Sequence, residues 1–130
     1  MSNLVDFESL PVLDLWGEWV QGRRVVGERM TLALVELTAN AEVPGHQHEA
    51  EQMGLVIAGN VRFTIGDEVR DVGPGGTWNI PSNVLHQVTA GPEGATVIDV
   101  FSPPRTDWDA LPAHEPRPAV RWPEAGDGSA

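Results

Sequence analysis

Between residues 27 and 104 the chain shows no sustained apolar periodicity of helical type. Short runs of Val, Ile, Leu, Thr and Phe recur there instead, broken by Gly, Pro and Asn. Punctuation at this spacing leaves room only for short strands joined by turns, so the fold class is all-β. The clearest strand is Asn60-Val61-Arg62-Phe63-Thr64-Ile65, in which Val61, Phe63 and Ile65 alternate with polar residues before the turn dipeptide Gly66-Asp67. Apolar runs of strand length also occupy residues 30–37, 52–57, 78–80, 84–88 and 96–101. Eight or so strands of this size predict a small barrel or jelly roll.

A chain of 130 residues suits one domain with one core. The strand-rich region, residues 30–102, is the expected barrel, with residues 1–29 as an N-terminal arm packing on the barrel or on a partner. Trp16 and Trp19 in that arm read as core or subunit-contact residues. Residues 103–130 form a Pro-rich C-terminal tail holding Pro103, Pro104, Pro112, Pro116, Pro118 and Pro123, six of the eleven prolines. Regular structure is not expected there, although Trp108 and Trp122 are suited to pinning the tail down. Gly73-Pro74-Gly75-Gly76 is a turn and not a phosphate loop, because neither a helix nor a Gly-Lys-Ser/Thr ending follows it.

Composition narrows the chemistry. The chain has no Cys, Tyr or Lys, which removes thiolate nucleophiles, lysine Schiff bases and tyrosine acids, and leaves His, carboxylates, Ser/Thr or a metal held by N and O ligands. A net charge of −11 disfavours nucleic acid and anionic membrane surfaces as partners. No apolar run reaches the length of a spanning helix, and the N-terminus lacks a basic and apolar leader, so the expected location is the cytoplasm.

The chemistry-bearing segment is Pro44-Gly45-His46-Gln47-His48-Glu49-Ala50-Glu51-Gln52. Residues two apart in extended chain share a face, so His46 and His48 form a chelating pair if that face is inward, and Gln52 keeps the same parity with an amide oxygen to offer. His86 is available as a third imidazole. Three nitrogens and one oxygen then converge on one divalent metal with positions left open. Glu49 and Glu51 are alternative carboxylate donors, but Glu51 has the wrong parity for a strand beginning near Ala50. The fourth histidine, His114, lies in the tail and reads as a solvated side chain. In Val97-Ile98-Asp99-Val100-Phe101, Asp99 and Phe101 share one face and Ile98 and Val100 the other. Patterning alone leaves open whether Asp99 points inward.

These segments resemble the two motifs of the cupin superfamily, G-x5-H-x-H-x3,4-E-x6-G and G-x5-P-x-G-x2-H-x3-N. The first matches at His46, His48 and Gly59, with Gln52 in the glutamate place and Asn40 in the leading-glycine place. The second matches at Gly75, Pro81 and His86, with Asn83 for the inner glycine and Ala90 for the final asparagine. The resemblance implies a single jelly-roll β-barrel of six to eight strands, often dimeric, with one divalent metal (Zn, Ni, Mn, Fe or Co) held by His46, His48, Gln52 and His86. A neutral ligand set leaves the charge of the metal uncompensated, which favours a small anionic substrate. It also departs from the two-His-one-carboxylate set of non-haem iron oxygenases.

The string Asp99-Val100-Phe101-Ser102-Pro103-Pro104-Arg105-Thr106-Asp107 is similar to that of small cupins acting in pectin degradation, which linearise 4,5-unsaturated uronates to open-chain keto forms. That resemblance implies Asp99 as general acid or base and Phe101 as a pocket wall. Arg105 either pairs the substrate carboxylate or caps the barrel end. The expected function is therefore metal-dependent ring opening and tautomerisation of an unsaturated uronate or similar anionic sugar or keto acid by a homodimer. The alternatives are a metal-dependent dioxygenase and a non-catalytic ligand-binding cupin.

Overall fold

Two long strands, β5 (Glu51–Ile65) and β8 (His86–Ser102), run antiparallel along nearly their whole lengths and organise the rest of the molecule. The structure is a computed structural model and describes residues 2–122; Pro123 and the end of the expected tail lie outside the described residues. The remaining strands are β1 (Val12–Trp16), β2 (Val20–Val26), β3 (Thr31–Leu37), β4 (Glu42–His46), β6 (Glu68–Val72), β7 (Thr77–Ile80) and β9 (Ala113–His114). Among the described residues no helix is long and apolar enough to cross a membrane.

The first half of β8 pairs with β4 and with the second half of β5, which also carries β6. The second half of β8 pairs with β3 and with the first half of β5, which also carries β7. Beyond β3 the sheet continues through β2 and β1 to β9. The pairing path thus has two ends, β6 and β9, and its hydrogen bonds do not close the ring that a barrel implies. Both portions nevertheless bury their inner faces in one core, where Phe63 of β5 packs on Trp78 of β7 with ring centroids 4.7 Å apart.

Expected strands 52–57 and 60–65 are one strand, as are 84–88 and 96–101, because bulges let the pairing continue through a bend. Register shifts in β5 fall between Val56 and Ala58 and between Gly59 and Val61. Gln52 and Val56 are buried before the shifts, and Val61 and Phe63 after them, so inward parity changes from even to odd. Gly59 sits at this corner with φ 77°, and a Cβ there would collide with the Gly94 carbonyl oxygen. The expected hairpin at Gly66-Asp67 is present, closing on the Ile65–Glu68 pair with Gly66 at φ 58°.

The sheet reaches back into the segment expected as an arm. All seven residues of β2 pair with β3, from Val20–Leu37 to Val26–Thr31. Alternation does not advertise β2, because Val20 is followed on the inward face by Gly22, whose missing side chain is filled by Leu15, and the outer face carries Arg23. Arg23 is fully buried and pairs with Glu36 at 3.0 Å. The tail provides the cover. The Arg117 carbonyl accepts from Arg23, and the Val120 amide donates to Glu36 at 2.8 Å. Cover on the outer face explains why five consecutive residues of β3, 33–37, are buried instead of alternating.

The tail is more regular than composition suggests, with a short 3-10 turn at Thr106–Ala110 and β9 pairing with β1. Trp108 is buried, whereas Trp122 is half-exposed and meets Phe7 edge-on. Gly59→Ala is expected to destabilise the protein by at least about 2 kcal/mol, since the substitution combines a left-handed backbone with a steric collision. Urea unfolding, read by tryptophan fluorescence, measures this directly.

Candidate metal centre

Three histidines meet at the open end of the core. His46 ends β4, His86 begins β8, and the two are direct partners in the β4–β8 ladder. His48 lies in the turn between β4 and β5, whose carbonyl accepts from the Asn83 amide at 2.8 Å. One ring nitrogen from each histidine lies within 4.8 Å of the others.

Backbone carbonyls set the tautomers. His46 Nδ1 lies 2.9 Å from the Pro44 oxygen, His48 Nδ1 2.7 Å from Ala50 and His86 Nδ1 2.8 Å from Val84. A carbonyl only accepts, so each Nδ1 carries the proton and each neutral ring presents an Nε2 lone pair. Burial favours the neutral forms of His48 and His86. It lowers the pKa of His48 and takes that of His86 down to about 4, helped in both by neighbouring positive groups and opposed by the backbone hydrogen bonds.

Gln52, the second residue of β5, brings an amide oxygen beside the three histidines. Its Nε2 donates to Asp99 Oδ1 at 2.9 Å, which turns Oε1 toward His48 Nε2 at 3.2 Å. Two lone pairs facing one another repel unless a cation lies between them. His86 Nε2 is likewise buried without a hydrogen-bond partner. Both features fit a divalent ion held by His46, His48, His86 and Gln52. Glu49 and Glu51 are exposed, so neither competes with Gln52.

Asp99 points inward, which resolves the ambiguity left by patterning. In register it pairs with Gly54, and Gly54 pairs with Trp78 on its other side. Trp78 Nε1 reaches across this gap and donates to Asp99 Oδ1 at 2.8 Å. Both hydrogen bonds go to Oδ1, leaving Oδ2 as the oxygen available to the cavity that Asp99 lines. Burial raises the Asp99 pKa to about 6, against the opposing hydrogen bonds from Gln52 and Trp78.

The cavity holds about 200 Å³, a scale suited to a small molecule. Phe101 forms a wall, with its ring edge-on to His48 at 5.9 Å. The Arg105 guanidinium lies 4.8 Å from the Phe101 ring centroid and 5.1 Å from that of Trp108. Its Nε and Nη2 are engaged by Asp107 at 3.0 and 2.9 Å, which holds the Asp107 carboxyl below its usual range.

Several lining residues were not anticipated. Trp16 is neither core nor buried; it packs against His46 with ring centroids 5.4 Å apart at the cavity mouth. Trp108 and Leu111 line the cavity from the tail. Trp78 had one sequence signal, the glycine at position 54 inside a strand, which marks close approach of another group. His114 lies away from the centre, paired with Asp14 at 3.0 Å.

This architecture and donor set define a class. Residues 33–101 match the family described as cupin domain, and the chain belongs to it. The two departures from the motif glycines are conformationally faithful: Asn40 and Asn83 take φ values of 59° and 62°, a left-handed backbone that Asn tolerates best after Gly. Among characterised relatives, the chain is similar to the pectin degradation protein KdgF of Dickeya dadantii, 29% identical over 98 residues, covering 72% of this chain and 89% of that protein. The KdgF structure from a Halomonas species superposes with a TM-score of 0.75 at 25% identity, covering 82% of this chain and 98% of that one. Oxalate decarboxylase OxdC of Bacillus subtilis is 32% identical over 81 residues, 58% of this chain, but the match spans only 21% of that enzyme's length.

Elemental analysis of the purified protein is expected to find about one divalent metal per chain, and His86→Ala or His48→Ala to abolish it. Metal-free wild-type protein that cannot be loaded would refute the assignment.

Proposed function

We propose that the protein is a metal-dependent cupin enzyme that opens and tautomerises a small anionic sugar or keto acid, with a 4,5-unsaturated uronate as the leading substrate. The observation that carries this reading is the placement of a buried carboxyl, Asp99, hydrogen-bonded only through Oδ1, on the same cavity as His46, His86 and Gln52. Similarity to KdgF over most of both chains supports the substrate class.

When bound, the divalent metal supplies a Lewis acid whose charge is uncompensated by its protein ligands and which polarises a substrate oxygen. The chain's own groups do the rest. Asp99 Oδ2 takes a proton from one substrate atom and returns it to another, while Trp78 and Gln52 hold Oδ1 in place. Phe101 and Trp16 flank the donor set and keep bulk water from it. Arg105 offers its remaining Nη1 to the substrate carboxylate, and a carboxylate that displaces Asp107 gains the full bidentate fork.

We further propose a homodimer. The outer face of the main sheet carries the paired apolar rows Leu32–Val100–Met53 and Leu34–Ile98–Leu55. Leu32, Met53 and Leu55 of these rows are exposed, so a second copy seated there would bury apolar surface now left to water. Light scattering is expected to give twice the chain mass, and Leu32→Glu with Met53→Glu to restore the monomer.

Incubation with an unsaturated uronate is expected to accelerate loss of its conjugated ultraviolet absorbance. Asp99→Asn is expected to keep the metal and lower turnover by roughly 10²–10⁴-fold. A rate equal to the uncatalysed one, or Fe(II)-dependent oxygen consumption in its place, would overturn the proposal.

A further inference from the structure

We infer that Trp78, one layer behind the donor set, is a positioning residue that keeps the Gln52 amide turned with its oxygen toward the metal. The inference rests on Gln52 being a metal ligand. An amide presents an oxygen and an NH2 group on a nearly symmetric fork, and only the oxygen has a lone pair for a cation. Which end faces forward is decided by what stands behind. Here that group is Asp99 Oδ1, 2.9 Å from Gln52 Nε2 and 2.8 Å from Trp78 Nε1. An indole N–H can only donate, so it requires an acceptor at that spot whatever side chain residue 99 carries.

Local packing makes Trp78 difficult to displace. Its ring is buried against Phe63 at a 39° tilt. Its N–H crosses the strand through the gap at Gly54, where a Cβ would lie 2.5 Å from Asp99 Oδ1 and 2.6 Å from Trp78 Nε1. Two donors, Trp78 and Gln52, therefore converge on Asp99 Oδ1, and the end of the Gln52 amide left over is Oε1, facing His48 Nε2 at 3.2 Å.

The role is hidden in the wild type, because an ionised Asp99 accepts from Gln52 even without help. It emerges when residue 99 becomes an amide that can rotate. In Asp99→Asn, Trp78 forces the Asn oxygen into the Oδ1 position, and Gln52 keeps its orientation. In Asp99→Asn with Trp78→Phe, the Asn can turn its NH2 toward Gln52, which draws the glutamine oxygen back and away from the metal.

The test is a double-mutant cycle on cobalt(II) affinity, measured by chelator competition, with the d–d absorption of the bound ion as a second readout. Each single variant is expected to stay within about threefold of the wild type, and the double variant to bind roughly 10–100-fold more weakly with a shifted d–d band. Melting temperatures are expected to be additive across the cycle, which a merely structural role would share with the affinities. Losses of affinity that simply multiply would overturn the inference while leaving the metal centre intact. Failure of the wild type to bind cobalt would overturn both. If Trp78→Phe does not fold, Trp78→Leu takes its place in the same cycle, with a roughly 10–100-fold extra loss only in the double variant supporting the role, and losses that multiply refuting it.

Discussion

The site depends on the antiparallel register of β5 and β8. Gln52 and Gly54 lie on one strand, and His86, Asp99 and Phe101 on the other, with Gln52 opposite Phe101 and Gly54 opposite Asp99. Successive side chains of a strand point to opposite faces, so a slip of one residue would turn Asp99 outward and close the gap through which Trp78 reaches it. The bulges in β5 and the excursion at residues 91–94 of β8 confine the irregularity to the corner. Register at the site end is then free of strain while the same two strands go on to cover the far side of the core.

Electrostatics follow from that placement. Backbone carbonyls orient the three imidazoles through Nδ1, burial favours the neutral forms of His48 and His86, and the Gln52 amide beside them is uncharged. The carboxylate of Asp99 is set behind the amide and not among the donors, so it shapes the centre without neutralising a cation there. At the mouth, Arg105 is braced by Phe101 and Trp108 and occupied by Asp107. In a protein of net charge −11, Arg105 thus places a cationic group on the wall of one small cavity.

The segments flanking the family match contribute more than packing. Trp16 from β1 and Trp108 and Leu111 from the tail form part of the cavity wall, so the shape of the pocket depends on chain outside residues 33–101. The same tail seals Arg23 and Glu36 against the outer face of β2 and β3. Removing one of those charges would leave the other buried and unpaired, at a cost of about 3–5 kcal/mol.

Local pattern determined much of this protein. The His46, His48 and Gln52 set is visible within seven residues, although His48 reaches it from the turn between β4 and β5 and not by strand parity; the Gly66-Asp67 turn sets a hairpin, and two asparagines stand where the motif needs a left-handed backbone. Other features are silent in any local window. Asp99 alternates as well outward as inward, and its direction is decided by Gln52 and Trp78, 47 and 21 residues away. Arg23 reads as a solvated charge until a tail some 94 residues later covers it. The donor types and their closeness in the chain were thus a property of the sequence, because a short segment cannot separate His46, His48 and Gln52 far in space. The orientation of each donor, and the carboxylate that opens on the cavity, were settled only by tertiary structure, because hydrogen-bond polarity depends on the groups that folding brings from far along the chain.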